Sequence, residues 1–151
     1  MPTLAEQMLE PESQKQSLIQ ELAEVFEAHV AKVGGLKGMG LRTAIGMLKK
    51  ARDNAIPEAV AKLLPACLRA MEPYYQRYLT EKTTGQTFVQ LAERERSKVA
   101  QDLVRVIDAR VANSQHSALS KGYGKVRGLL VPEIEAIVPE MAASLQRRLK
   151  A

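Results

Sequence analysis

The sequence predicts an all-α fold, a compact bundle of about five to seven helices built from two related helical repeats. Apolar residues recur at steps of three and four along most of the chain, which is the period of an amphipathic helix. No segment combines alternating apolar and polar residues with the β-branched enrichment typical of a strand. A twelve-residue pattern near the start returns near the end, which indicates an internal duplication.

The composition predicts one globular domain. The chain has 151 residues, of which 46% are hydrophobic and 26% charged. A single cysteine, Cys67, excludes an intrachain disulfide, and with only two histidines we expect neither a metal nor a cofactor. No apolar run is long enough to span a membrane, and no leader pattern precedes the first helix. We therefore expect a cytoplasmic protein without a transmembrane segment.

The first elements follow from prolines, glycines and caps. We predict that residues 1–12 form a mobile N-terminal arm and residues 13–151 a single helical domain. Ser13 is the candidate cap of a first helix, with Gln16 as its capping-box partner. Gly34 and Gly35 end that helix, because glycine readily adopts the left-handed geometry of helix termini. A second helix is predicted over residues 40–52.

Prolines divide the rest of the predicted helices. Pro57 suits the first turn of a third helix, and Pro65 and Pro73 predict that this helix kinks or splits. A polar turn over residues 83–86 surrounds Gly85. The remaining predicted elements are a long helix over 88–112 capped by Thr87 or Thr84, a loop over 113–116, and helices over 118–130 and 132–150.

The duplication places residues 20–31 over residues 101–112, with identity at six of the twelve positions. Farther along, the segment around Pro57 matches the segment around Pro132. The two predicted repeats cover about 18–80 and 97–151. Because each repeat alone has a one-sided apolar face, we expect the two to pack together about a pseudo-two-fold axis.

Charge is unevenly distributed along the chain. The net charge is +5, but residues 1–30 carry −5 and residues 31–55 carry +5. The basic segment 32–52 is therefore a candidate anion-facing surface. A solvated surface without a ligand is the alternative interpretation.

Within that segment, Gly38-Met39-Gly40 follows Val33 and Leu36 in a pattern similar to the helix-hairpin-helix signature of DNA repair and recombination proteins. The resemblance implies a hairpin whose amides, at a helix N-terminus, contact a phosphate. The residues that would add charge or a hydroxyl donor are Lys37, Arg42, Thr43 and Lys49. The alternative is an interhelix loop in which the glycines permit close packing.

Other candidate residues are few. Tyr74, Tyr75 and Tyr78 supply three of the six aromatic residues, and they form either a partner surface or the rim of the core. His29 lies on an apolar helix stripe and is expected to be structural. His116 lies near serines without a third orienting group, so we predict no catalytic residues.

Several segments of the chain resemble a family of bacterial proteins of unknown function. The matching segments in the first half are residues 35–38, 49–50, 56–60, 63–65 and 70–74, and those in the second half are 121–123 and 138–139. The resemblance implies a compact helical domain with two related halves and no assigned activity. We therefore predict a non-enzymatic interaction module with a protein partner or a homodimer. The alternative is sequence-independent binding of a duplex nucleic-acid backbone.

Overall fold

A computed structural model describes residues 2–114 and 117–149 of the chain, and these residues form seven α-helices and one 3₁₀ turn. The helices are α1 Leu4–Leu9, α2 Glu12–Lys32, α3 Gly35–Ala51, α4 Ala55–Glu81, α5 Phe88–Arg94, α6 Arg96–Ala112 and α7 Ser117–Gln146. The 3₁₀ turn is Lys82–Thr84. No strand occurs within the described residues, so the predicted all-α class is confirmed.

The core is shared by nearly all of the helices. Helix α7 packs against α2, α3, α5 and α6, while α4 packs against α1, α2 and α6. The largest side chains in the core include Phe88, Leu68 and Met71. None of the helices within the described ranges is both long enough and apolar enough to cross a membrane.

The N-terminal segment is part of the core, and the prediction of a mobile arm over residues 1–12 is wrong for its described part. Leu4 and Met8 of α1 are both 0% exposed. The Leu4 backbone N–H donates to Oε1 of Glu72 at 2.7 Å, and Nε2 of Gln7 donates to the Tyr75 hydroxyl at 2.6 Å. Two prolines in twelve residues suggested disorder, but the helix between them buries two large apolar side chains.

The sequence predicted where α2 ends but not where it begins. The helix begins at Glu12, directly after Pro11, and Ser13 makes no cap. It ends at Lys32, as the glycines predict, and Gly35 has a φ of +69°. Helix α3 begins at Gly35 rather than at residue 40. The Gly38-Met39-Gly40 stretch therefore lies inside a helix and not in a loop.

Four prolines lie inside continuous helices. Helix α4 passes through Pro65 and Pro73, and α7 passes through Pro132 and Pro139. The predicted separation of 118–130 from 132–150 is therefore wrong. For the third helix, predicted to kink or split, the split does not occur. An interior proline costs about 3 kcal/mol. Leu64 beside Pro65 and Val138 beside Pro139 are buried in the core, and burial of a large apolar side chain contributes about 1.5–3 kcal/mol in the opposite direction.

After α4, the predicted turn is present, but the long helix predicted to follow it is divided into two helices. Gly85 has a φ of +87°, and Thr87 caps α5 in a capping box with Gln90, as predicted. The predicted single helix over 88–112 is interrupted at Glu95, where α5 ends and α6 begins. Of the predicted loop over 113–116, residues 115–116 lie outside the described part of the chain.

The predicted internal duplication stays a prediction. Its first repeat corresponds to α2, α3 and α4, and its second repeat corresponds to α6 and α7. The break over residues 52–54 that separates α3 from α4 has no counterpart within α7.

Candidate functional site

Helix α3 has an unusual exposed face. Among the side chains whose exposure the structure describes, all of the large hydrophobic ones that are exposed belong to this helix. They are Leu36 (86%), Met39 (58%), Met47 (68%) and Leu48 (47%). Exposed large apolar side chains that concentrate on one element are typical of interaction surfaces.

Most of these side chains align along one side of the helix. Leu36, Met39, Thr43, Met47 and Lys50 follow each other at steps of three and four residues, which places them on one face. We call this set the α3 stripe. On the opposite face, Leu41 is buried and Ile45 is half-buried. Helix α3 is thus apolar on two faces, of which only one packs against the fold.

The α3 stripe lies in a segment of the sequence without acidic residues. Residues 32–52 contain six bases and no acid, and residues 117–131 contain three bases and no acid. All 17 acids of the chain lie elsewhere, together with 13 bases, so the rest of the chain carries a net −4. The two segments meet where α3 packs on α7, since a Cβ on Gly40 would lie 3.2 Å from Cδ1 of Leu129. We call residues 32–52 and 117–131 the basic end.

Acidic side chains from outside the basic end neutralise some of its cations. The ion pairs are Lys37–Glu133 (2.6 Å), Lys49–Glu27, Arg52–Glu58 (3.4 Å) and Arg127–Asp108 (2.9 Å). Of the nine cations of the basic end, the other five have no carboxylate of the described residues within 4.0 Å. They are Lys32, Arg42, Lys50, Lys121 and Lys125. The basic end therefore keeps a surplus of positive charge.

Arg42 also holds the junction between α2 and α3. Its Nη1 donates to the Val33 carbonyl at 2.7 Å and to the Val30 carbonyl at 3.3 Å. These carbonyls lie at the C-terminal end of α2, where a cation is favourable to the helix dipole. Arg42 thus has a structural role as well as an uncompensated charge.

The glycines of α3 do not form the predicted phosphate-binding hairpin. The Gly38 amide donates to the Gly34 carbonyl at 3.2 Å, so it is already bonded. A Cβ on Gly38 would collide with the Val33 carbonyl, and Gly40 faces Leu129 of α7. The glycines permit close packing, as the alternative interpretation predicted, but they do so within a helix and not in an interhelix loop. Among the other predicted site residues, Lys37, Lys49 and Arg42 bond to groups on other helices or at helix ends. Met39 and Thr43 are exposed.

Glu133 on α7 joins three helices. Its Oε2 accepts from Nζ of Lys37 on α3 at 2.6 Å, and its Oε1 lies 2.8 Å from Nε2 of His29 on α2. Burial alone would raise the pKa of Glu133, but the hydrogen bonds with Lys37 and His29 outweigh it and lower that pKa. Lys37 and His29 are therefore positioned to hold α3 against the bundle.

The three tyrosines belong to the core rather than to a partner surface. Tyr74 and Tyr75 are buried, and the half-buried Tyr78 packs edge-on against Phe88 with ring centroids 5.8 Å apart. The Tyr74 hydroxyl donates to Oδ2 of Asp102 at 2.6 Å. The interpretation as the rim of the core fits these contacts, while the partner-surface hypothesis does not.

A family relationship covers almost the whole fold. Residues 4–149, from the first turn of α1 to the residues after α7, match the family of unknown function DUF6918. The chain belongs to the DUF6918 family. No curated protein and no solved structure matches it. The membership agrees with the expected resemblance to an uncharacterised family and brings no activity with it. Within the described part of this DUF6918 member, no His, Cys, Asp and Glu side chains cluster as metal ligands.

The α3 stripe has a signal in the sequence that the predicted helix over 40–52 does not include. A helix that starts at residue 40 leaves Leu36 and Met39 outside it. Starting the helix at Gly35 instead produces a second apolar series on the side opposite Leu41 and Ile45. Two apolar series on one short helix, in a segment without acids, indicate that one face packs and the other is free to bind.

Proposed function

We propose that this chain is a non-enzymatic binding module whose binding surface is the α3 stripe within the basic end. The observation that supports the proposal is the exposure of Leu36, Met39 and Met47 on one face of one helix. Substitutions of exposed side chains usually change stability by less than about 0.5 kcal/mol. Burying one such side chain completely against a partner is worth about 1.5–3 kcal/mol.

The proposal is tested by photo-crosslinking in cells that produce the protein. A photoreactive phenylalanine derivative replaces Met47 in one variant. In the control variant it replaces Ser97, an exposed residue of α6 outside the basic end. We expect several-fold more crosslinked adducts, whether with protein, lipid or nucleic acid, from position 47. Adding Leu36→Ser to the first variant should reduce that yield. Equal yields from both positions would show that α3 is not a binding surface.

A second candidate function is sequence-independent binding of a duplex nucleic-acid backbone. The surplus of positive charge at Lys32, Arg42, Lys50, Lys121 and Lys125 favours it. Because the Gly38 amide is bonded within α3, the contacts would come from these side chains rather than from a glycine hairpin. Fluorescence anisotropy of a labelled random duplex tests this candidate. Affinity should fall steeply with salt and should be lost when Lys50 and Lys125 are both changed to Gln.

A homodimer formed through the same surface is less favourable than binding to an acidic partner. Two copies of the basic end would bring like charges together, which opposes association at low salt. Sedimentation velocity at low and high salt measures this directly. A dimer that strengthens with salt, and that Leu36→Ser and Met47→Ser abolish, would identify a second copy as the partner.

A further inference from the structure

We propose that the α3 stripe docks on the surface of an anionic lipid bilayer. This inference rests on the proposed function, because it names the occupant of the same surface. It commits to lipid headgroups and the adjoining acyl chains, and it treats a protein or a nucleic acid as outcomes of the test.

The shape of the surface favours a flat occupant. The stripe runs from Leu36 to Lys50, a distance of about 21 Å at 1.5 Å per residue. Leu36 is 86% exposed and Met47 is 68% exposed, so these side chains project from the bundle. Projecting apolar side chains in one line on a helix that lies on a folded domain can enter the headgroup and acyl-chain boundary together.

The charge of the surface favours an anionic occupant. Lys50 lies in the stripe itself, and Lys121 and Lys125 come from the neighbouring segment of α7. No acidic residue interrupts either segment of the basic end. Lysines next to an apolar face are attracted to the negative surface potential of a membrane with acidic lipids.

The combination of apolar side chains and cations favours lipid over a nucleic acid and over a second copy of the chain. A phosphodiester backbone would use the cations but would leave Leu36, Met39 and Met47 facing water. A second copy of the chain would use the apolar side chains but would bring the two basic ends together. A bilayer with acidic lipids satisfies both features of the surface at once.

The chain contains no tryptophan, which allows a direct experiment. Met47→Trp introduces a fluorophore into the α3 stripe, and Ser97→Trp introduces one at an exposed site on α6 as a control. Vesicles of phosphatidylglycerol and phosphatidylcholine in equal parts are then added at low salt. We expect the emission of Trp at position 47 to shift to the blue, while that at position 97 stays unchanged. Pure phosphatidylcholine vesicles should cause a much smaller shift.

Two double variants, each lacking two positive charges, test the electrostatic contribution to vesicle binding. In the Met47→Trp background, Lys50→Gln with Lys125→Gln should weaken vesicle binding about thirtyfold, since each cation near the surface contributes about a factor of five. Arg69→Gln with Lys82→Gln removes the same charge from exposed positions outside the basic end, and it should change binding less than twofold. Far-ultraviolet circular dichroism verifies that both pairs remain folded.

Several results would overturn the proposal. They are the absence of binding to anionic vesicles, binding without a blue shift at position 47, and equal weakening by the two charge pairs. If any of these occurs while photo-crosslinks from position 47 to a protein persist, the binding surface stands and its occupant is a protein. If duplex DNA binds and position 47 stays unshifted, the occupant is nucleic acid. If vesicle binding and photo-crosslinks from position 47 are both absent, the proposed function fails together with the lipid proposal.

Discussion

The carboxylate of Glu133 on α7 lies 2.6 Å from the ammonium group of Lys37 on α3, and this ion pair holds in place the helix that carries the exposed stripe. Glu133 is almost fully buried and also contacts His29 on α2. The side of α3 that faces the bundle is thus held by the Lys37–Glu133 ion pair as well as by packing. The opposite side is left to the solvent.

Glu133→Gln should destabilise the protein by about 2 kcal/mol, because it leaves the Lys37 ammonium without its counter-charge. Urea unfolding followed by circular dichroism measures the change. The control is Glu140→Gln, an exposed position on the same helix, which should change stability by less than about 0.5 kcal/mol. Equal effects of the two substitutions would contradict a specific role for the ion pair.

Leu4→Ala should destabilise the protein by about 2–4 kcal/mol, because Leu4 is completely buried and its truncation leaves a cavity. Leu36→Ala deletes the same atoms from a side chain that is 86% exposed, and it should change stability by less than about 0.5 kcal/mol. Thermal and urea unfolding compare the two variants. If both were neutral, the first twelve residues would be the mobile arm that their prolines suggested.

Gly46→Ala and Gly38→Ala should have opposite effects, although both glycines lie in α3. A Cβ on Gly46 meets no atom within 4 Å, so alanine should stabilise the helix by about 0.5–1 kcal/mol. A Cβ on Gly38 would collide with the Val33 carbonyl, a backbone group that cannot rotate away. Gly38→Ala should therefore lower the midpoint of urea unfolding, and Gly46→Ala should raise it. A shift of both midpoints in the same direction would contradict the helix start at Gly35.

Glu21 should make folding depend on pH in the acid range. Burial alone would raise its pKa, but hydrogen bonds with Ser144, Arg148 and Arg147 outweigh it and lower the pKa from 4.5 to about 2. Because the folded-state pKa lies below the unfolded one, Glu21 stabilises the fold above pH 4.5, and this stabilisation is lost as the pH falls from 4.5 to about 2.

The measurement is the free energy of unfolding between neutral pH and about pH 2, a range set by the ordinary and folded-state pKa values. Glu21→Gln should be less stable than the wild type at neutral pH and should lose less stability on acidification. Glu24→Gln, at an exposed position on the same helix, should keep the acid dependence of the wild type. If the free energy of unfolding of Glu21→Gln fell with pH as steeply as that of the wild type, the contacts of Glu21 with Ser144, Arg147 and Arg148 would contribute nothing to stability.

Much of the helical pattern was predictable because its signals are local. The end of α2 before Gly34 and Gly35, the turn at Gly85 and the cap at Thr87 all depend on residues within a few positions of each other. The prolines misled the prediction, because a proline in a helix interior is unfavourable only locally. Helices α4 and α7 each stay continuous because they pack in the bundle against residues that are distant in the sequence. A short stretch of sequence does not contain that information.

The candidate site was predicted only in part. The basic segment 32–52 was found from charge alone. Its helix was predicted over 40–52, whereas the Gly38-Met39-Gly40 stretch was predicted as a hairpin and lies inside α3. Lys37 and Lys49 were predicted to face an anion, but each is paired with a carboxylate from another helix. Ion pairs of this kind join positions far apart in the chain, so their formation follows from the fold and not from local spacing.

By itself, the sequence determined the all-α class, the stop after α2 and the segregation of acids from the basic end, because composition and local propensity are properties of the chain. Only the tertiary structure decided that α1 is core, that Tyr74 and Tyr75 are buried, and which face of α3 is free. The helical period places Leu36 and Leu41 on opposite faces of α3 but does not say which face packs. That choice depends on the surfaces of α2 and α7, and it left Leu36 in the solvent.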